Sequence, residues 1–210
     1  FPVLLGGDHT LAAGSIAAVS KRHSGNIGVI WIDAHGDWNS EESTCTGNMH
    51  GMPFSAVCGY GPDCMVEFGQ GAAPVNVAHC VQVGGRDIDD LERQRMAQAG
   101  VTVFPINMID KLGMGAVIEQ AIQIAGEGTD GIHLSFDVDA ITPEAVPGTG
   151  VIVYNGLTPR EAFLAAEAIA ESRKLISMDM VEVNPFLDTA NKSGILASEL
   201  IQSALGKSVY

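Results

Sequence analysis

Three short polar motifs in this sequence each follow an apolar run, and each contains residues that commonly bind metal ions. They are GGDHT at Gly6–Thr10, DAHGD at Asp33–Asp37 and SFDVD at Ser135–Asp139. Their side chains offer carboxylates and imidazoles but no thiolate, a combination that suits manganese, zinc or iron and is unlike a cysteine-rich structural zinc site. A single Asp-x-Asp pair or a lone histidine is usually structural, but three such motifs together favour a metal centre.

The negative charge of these motifs needs compensation if they meet at one place. Carboxylates that share a cleft raise one another's pKa, and no Lys or Arg lies within any of the three motifs. Two divalent cations would balance the four aspartates of the second and third motifs. Positions two apart on an extended strand end share a face, so we expect Asp33, His35 and Asp37 to reach one site.

The elements that must position these motifs alternate between strands and helices. Apolar or β-branched runs predict strands at Phe1–Leu5, Asn26–Ile32, Cys80–Val83, Val101–Phe104, Ile132–Phe136 and Leu175–Val183. Helical composition and periodicity predict helices at Leu11–Arg22, Pro53–Val57, Ile88–Ala99, Ile109–Ala125 and Ile195–Leu205, and one that begins after an N-cap at Thr158. This alternation predicts a single α/β domain over residues 1–210, with a mostly parallel sheet covered on both sides. Ligands of such sheets bind at the carboxyl ends of the strands.

The composition excludes several classes of function. The 210 residues include 25 acidic and 11 basic side chains, so the formal net charge of −14 argues against nucleic acid and favours a cationic ligand. A hydrophobic content of 46% excludes a disordered chain. No apolar run is long enough to span a membrane, and the four cysteines lack a CxxC spacing. We therefore expect a cytoplasmic protein with reduced thiols and no membrane partner.

Five motifs taken in order resemble the signature set of the ureohydrolase family, which contains arginase, agmatinase, guanidinobutyrase and formiminoglutamase. They are the three motifs above, GNMHGMP at Gly47–Pro53 and EVNP at Glu182–Pro185. The resemblance runs from Phe1 to about Leu205 and implies a three-layer α/β/α fold with two Mn²⁺ ions per chain. It also implies a homo-oligomer, either a trimer or a hexamer. The chain begins within an apolar run without Met, so we expect an N-terminal segment of the family to be missing.

The resemblance also assigns roles to residues. One Mn²⁺ would be held by His9, Asp33, Asp37 and Asp137, and the other by His35, Asp33, Asp137 and Asp139, with Asp33 and Asp137 bridging. A hydroxide that bridges the two metals would attack the guanidinium carbon, and Asp37 would accept its hydrogen bond. Glu182 is similar to the carboxylate that binds the guanidinium group, and His50 to the histidine that protonates the leaving amine.

Substrate choice within the family depends on a second set of residues. The stretch from Asn39 to Thr46 looks like the arginase version, in which neutral donors bind the α-carboxylate, and Asp89 resembles the residue that binds the α-ammonium group. The leading hypothesis is therefore hydrolysis of L-arginine to L-ornithine and urea. Agmatinase or guanidinobutyrase activity, or a catalytically weakened metal-binding homologue, remain alternatives. The sequence departs from the family pattern at Thr142 and at Val151, where a hydroxyl that would help to orient Glu182 is absent.

Overall fold

The computed structural model describes residues 1–66 and 71–208, and their central element is a six-stranded sheet. The strands are β1 (Val3–Leu5), β2 (Gly28–Ile32), β3 (Cys80–Val83), β4 (Thr102–Phe104), β5 (Ile132–Asp137) and β6 (Leu175–Val181). They lie in the order β1-β6-β5-β2-β3-β4, and every neighbouring pair is parallel. The predicted parallel sheet is confirmed, although several strands are shorter than their apolar runs.

The helices mostly occupy the predicted positions. They are α1 (Leu11–Arg22), α2 (Pro53–Val57), α3 (Asp63–Val66), α4 (Asp90–Ala99), α5 (Ile106–Leu112), α6 (Met114–Gly126), α7 (Pro159–Ser172) and α8 (Lys192–Ala204). The single helix predicted over Ile109–Ala125 is wrong, because Gly113 adopts a φ of 82° and separates α5 from α6. A residue without a Cβ reaches this left-handed conformation at little cost, so it can break the helical periodicity.

Side chains of β2 point alternately to the two faces of the sheet, and each face has its own apolar core. Val29 and Trp31 pack with α1, α2 and α4, whereas Ile30 and Ile32 pack with α5, α6, α7 and α8. All five residues of β2 are buried, as expected for a central parallel strand. The two cores make the architecture a three-layer α/β/α sandwich, which confirms the predicted fold class.

Polar loops follow β1, β2, β5 and β6 at the carboxyl edge of the sheet. The DAHGD motif differs from the expectation, because β2 ends at Ile32 and the motif forms a loop rather than a strand end. Asp37 has a φ of 50°, so a turn and not strand alternation directs its side chain. The Gly- and Pro-containing stretch from Val57 to about Ala78, for which the sequence predicts irregular structure, contains the short helix α3, and residues 67–70 within it lie outside the described residues. No helix in the described part of the chain is both long and apolar enough to cross a membrane.

Candidate metal centre and substrate cleft

A cleft of about 220 Å³ opens at the carboxyl edge of the sheet. Its walls include nearly all of the residues singled out from the sequence: His9, His35, Asp37, Asn39, Thr46, His50, Asp89, Asp137, Asp139 and Glu182. Asp33 lies directly beneath them and is fully buried. Because β1, β6, β5 and β2 are neighbours in the sheet, the loops that follow them converge on one place.

The first cluster surrounds the imidazole of His9. Its Nδ1 atom lies 3.1 Å from Asp33 Oδ2, 3.0 Å from Asp37 Oδ2 and 3.2 Å from Asp137 Oδ2. The opposite ring atom, Nε2, lies 2.8 Å from the hydroxyl oxygen of Ser135. The His9 ring also stacks on the indole of Trp31, with the centroids 4.2 Å apart. These contacts fix both the position and the rotation of the ring.

The second cluster surrounds His35, at the more open side of the cleft. His35 Nδ1 lies 3.3 Å from Asp33 Oδ1 and 3.0 Å from Asp139 Oδ2. Asp33 therefore directs one oxygen to each histidine, and it belongs to the two groups of potential metal-binding atoms that contain His9 and His35. A third such group consists of Asp8, His50 and Glu182. Two further groups hold Asp33 in this orientation: the indole Nε1–H of Trp31 donates to Oδ2 at 2.9 Å, and the His35 backbone N–H donates to Oδ1 at 2.7 Å.

The pKa values in the cleft show strong electrostatic coupling. Burial and the charge of Asp33 raise the pKa of Asp37 to about 7, and burial with the charges of Asp139 and Asp33 raises that of Asp137. Burial also tends to raise the pKa of Asp33, but the neighbouring imidazoles of His35 and His9 outweigh it and lower the pKa. For His35, burial opposes protonation, yet Asp139 and Asp33 raise its pKa to about 12. The cluster thus attracts positive charge strongly.

The surroundings of the His9 Nδ1 atom indicate whether a cation fits in the first cluster. This atom is buried, and no oxygen in the described residues accepts a well-aligned hydrogen bond from it, although three carboxylate oxygens lie within 3.2 Å. A nitrogen lone pair and carboxylate oxygens that face one point form the ligand set of a divalent ion. Such an ion would also remove the cost of burying carboxylates close together. The residues present therefore fit a metal centre.

Glu182 and His50 lie beside the two clusters. Glu182 Oε1 accepts a hydrogen bond from the His9 backbone N–H at 2.7 Å and lies 3.7 Å from His50 Nδ1. Glu182 has a φ of 59°, a left-handed conformation that costs roughly 1–2 kcal/mol for a side-chain-bearing residue. The interaction with Glu182 raises the pKa of His50, although partial burial opposes the shift. His50 therefore keeps a proton to higher pH than an ordinary histidine.

The residues predicted to recognise the substrate line the same cleft as Glu182. The Asn39 side chain is buried, and its Oδ1 accepts a hydrogen bond from Ser43 Oγ at 2.8 Å. Thr46 is exposed, and its Oγ1 accepts from the Asn48 N–H at 3.1 Å. Asp89 is half-buried at the N-cap of α4. Their placement in one cleft is as expected, while their binding roles stay predictions.

Sequence reasoning missed several cleft residues, of which Glu92 is the most distinctive. Its carboxylate accepts hydrogen bonds from the backbone N–H groups of Trp38 at 2.8 Å and Asp89 at 3.2 Å, and burial raises its pKa to about 8. The spacing Asp89-x-x-Glu92 is that of a capping box and could have identified it. Cys45 also lines the cleft, where the carboxylate of Asp89 raises the pKa of its thiol.

The two departures from the family pattern have different locations. Val151 is 40% exposed and lines the cleft that a substrate would occupy. Thr142 lies outside the cleft lining and hydrogen-bonds Glu144. Only the Val151 departure can therefore affect a ligand by direct contact.

Comparison with known proteins agrees with the geometry. The sequence model of the Arginase family matches residues 1–206. The chain is 42% identical over 207 residues to an arginase of Bacillus caldovelox, covering 99% of this chain and 69% of that protein. It is 43% identical over 211 residues to a Staphylococcus aureus arginase, covering 100% of this chain and 68% of the relative.

Solved structures give the same result. The Bacillus caldovelox arginase superimposes with a TM-score of 0.96 at 41% identity, over 100% of this chain and 70% of that one. The Entamoeba histolytica arginase, solved in complex with L-ornithine, superimposes with a TM-score of 0.89 at 34% identity, over 98% and 69% of the two chains. The chain therefore belongs to the arginase family, whose members are hydrolases acting on guanidino groups.

Proposed function

We propose that this protein hydrolyses L-arginine to L-ornithine and urea, with two Mn²⁺ ions held by the His9 and His35 clusters. The observation that carries the proposal is that one cleft brings together two kinds of residues. It combines the potential metal-binding groups of His9 and His35 with Glu182 and His50, and its lining also includes polar residues suited to an amino acid, namely Asn39, Thr46 and Asp89. The Entamoeba relative was solved with L-ornithine, the amino-acid product expected here.

When bound, two divalent ions would lower the pKa of a water molecule in the cleft toward neutrality and so make it a nucleophile. The residues of this chain would perform the remaining tasks. The Glu182 carboxylate would accept hydrogen bonds from the planar guanidinium group and orient its carbon toward the floor of the cleft. Asp37, whose Oδ2 lies 3.0 Å from His9 Nδ1, would accept a hydrogen bond at the floor of the cleft.

His50 would deliver a proton to the amine that leaves the guanidinium carbon. Its pKa is raised by the neighbouring Glu182, so the imidazolium form is available near neutral pH. His50 is also partly exposed, and it can therefore regain a proton from solvent after each turnover. At the other end of the substrate, Asp89 would bind the α-ammonium group, and Asn39 and Thr46 would bind the α-carboxylate, directly or through water.

Urea release tests the proposal directly. Mn²⁺-loaded protein is offered L-arginine, agmatine and 4-guanidinobutyrate in parallel, and bound Mn²⁺ is counted in the same sample. We expect two ions per chain and the highest kcat/KM for L-arginine, because agmatine lacks the carboxylate and 4-guanidinobutyrate lacks the α-ammonium group. Faster hydrolysis of agmatine would reject the L-arginine assignment. Two bound ions without urea from any of the three compounds would indicate a metal-binding homologue.

A further inference from the structure

The guanidinium group of Arg86, in the loop after β3, donates all of its hydrogen bonds to backbone carbonyl oxygens. Nη1 donates to Ala140 at 3.1 Å and Nη2 donates to Asp139 at 2.7 Å. Nη2 also donates to Val153 at 2.7 Å, and Nε donates to Tyr154 at 3.0 Å. The side chain therefore joins the turn that carries the Asp139 carboxylate to the loop that precedes α7.

The loop before α7 has few hydrogen bonds apart from those donated by Arg86. Within the described residues, the segment 149–156 forms no hydrogen bond other than the two from Arg86. The nearest other anchors lie just outside it, where the Gly148 N–H donates to Ser193 Oγ at 2.7 Å and the Leu157 N–H donates to Ala140 O at 2.9 Å. Without Arg86, eight consecutive residues would be held by apolar contacts and chain ends alone.

The same segment forms one wall of the cleft. Val151 contributes directly to the lining, and a Cβ built on Gly150 would lie 3.5 Å from Glu182 Oε2. The cleft lining also includes Asp87 and Asp89, which follow Arg86 in its own loop. Arg86 therefore joins two segments that both border the cleft.

Gly156 shows that the guanidinium group occupies a fitted space. A Cβ at this position would lie 2.7 Å from Arg86 Nη2 and 2.7 Å from Ala140 O, which is closer than real side chains approach. The chain thus accommodates the guanidinium group by leaving out a side chain at the end of the tethered segment.

We propose that Arg86 is a positioning residue for substrate affinity: it tethers the segment 149–156 as a wall of the cleft. The expected effect on KM for L-arginine rests on the proposed function, whereas the tether itself does not. Asp139 should be less sensitive to Arg86 than the wall, because its own carboxylate is held by the Ala34 N–H at 3.2 Å and by His35 at 3.0 Å.

The test uses Arg86→Lys in the Mn²⁺-loaded protein. Lysine keeps the positive charge near the carboxylates, but a single ammonium cannot span carbonyl oxygens of two segments as a planar fork does. We expect KM for L-arginine to rise about tenfold, the equivalent of about 1.4 kcal/mol, with kcat and the number of bound Mn²⁺ ions little changed. Arg95→Lys is the matched control, because Arg95 Nη2 also donates to a backbone carbonyl, that of Tyr60, away from this cleft.

Limited proteolysis with chymotrypsin provides a readout that does not need enzymatic activity. Tyr154 lies in the tethered segment, whereas Phe186, with 97% of its side chain exposed, lies in a different loop and serves as the internal reference. We expect cleavage after Tyr154, relative to cleavage after Phe186, to increase about tenfold in Arg86→Lys and to stay unchanged in Arg95→Lys. An unchanged cleavage ratio in Arg86→Lys would overturn the proposal that Arg86 tethers the segment 149–156. This readout applies even if the protein releases no urea. An increased ratio with unchanged KM would overturn its role in substrate affinity.

Discussion

The Nε2 atom of His9 lies 2.8 Å from Ser135 Oγ, and this contact determines which nitrogen of His9 faces the cleft. Ser135 Oγ also lies 2.6 Å from Asp179 Oδ1, a fully buried carboxylate that receives further hydrogen bonds from Ser15 Oγ and His133 Nε2. Burial tends to raise the pKa of Asp179, but its interactions with His133 outweigh this and lower it. An ionised carboxylate only accepts, so Ser135 donates its proton to Asp179 and accepts from Nε2–H, which leaves Nδ1 free for a metal ion.

The first prediction is that Ser135→Ala weakens Mn²⁺ binding by about 10- to 100-fold, the usual effect of removing a group that orients a metal-binding histidine. Calorimetric titration of the metal-free protein with Mn²⁺ measures the change. Ser20→Ala is the matched control, because Ser20 is also buried and its Oγ donates to Ala73 O at 2.6 Å, outside the cleft lining and outside the network of His9, Ser135 and Asp179. Equal losses of affinity in the two variants would show a general loss of packing rather than an effect on His9.

The second prediction concerns Asp33, which is shared by the two groups of potential metal-binding atoms that contain His9 and His35. Asp33→Ala should abolish binding of both Mn²⁺ ions, whereas Asp139→Ala should chiefly affect the ion near His35, because Asp139 belongs to one group only. The bound metal is counted by elemental analysis after gel filtration. Retention of one tightly bound ion in Asp33→Ala would argue against a shared ligand. The same experiment on Asp137→Ala examines its bridging role, which rests on the family resemblance.

Much of this site could be predicted from the sequence, because the candidate metal ligands directly follow strongly apolar strands and parallel strands bring their carboxyl ends together. His9, Asp33, His35, Asp137 and Asp139 were found in this way. Contacts that depend on how two distant segments approach each other could not be predicted. No local pattern indicates that Arg86 spans two loops, or that Ser135 joins His9 to Asp179.

The third prediction is that Mn²⁺ binding releases protons. In the metal-free protein, burial opposes protonation of His9, but the adjacent carboxylates of Asp137, Asp33 and Asp37 raise its pKa well above the usual value, and the pKa of His35 rises to about 12. Both imidazoles are therefore protonated at pH 7 and must lose a proton before they bind a metal ion. Affinity should rise with pH between 6 and 9. Calorimetry in two buffers of different ionisation enthalpy counts the released protons, and a count of zero would contradict the assignment of both histidines as ligands.

The fourth prediction concerns the pair formed by His50 and Glu182. The carboxylate of Glu182, 3.7 Å away, is the largest cause of the raised pKa of His50. Glu182→Gln should therefore shift the pKa of His50 downward, because the amide is uncharged. Asp8→Asn should have a smaller effect in the same direction, since Asp8 Oδ2 lies 4.0 Å from His50 and its side chain is largely exposed. NMR titration of the His50 ring measures both shifts, and an upward shift in Glu182→Gln would show that another group controls His50.

The final prediction separates substrate recognition by Asp89 from its structural role. Asp89 is the N-cap of α4, and its backbone N–H donates to Glu92 Oε2 at 3.2 Å, so Asp89→Ala would affect both the helix and the cleft. Asparagine caps helices as well as aspartate does but carries no charge. If Asp89 binds the α-ammonium group, Asp89→Asn should raise KM for L-arginine about tenfold or more without changing thermal stability or Mn²⁺ content, because a charge-assisted hydrogen bond is lost. Hydrolysis of 4-guanidinobutyrate, which has no α-ammonium group, should not be impaired. Equal impairment of both substrates would mean that Asp89 acts through the shape of the cleft, and the amino-acid specificity would then have to come from the Asn39 and Thr46 side.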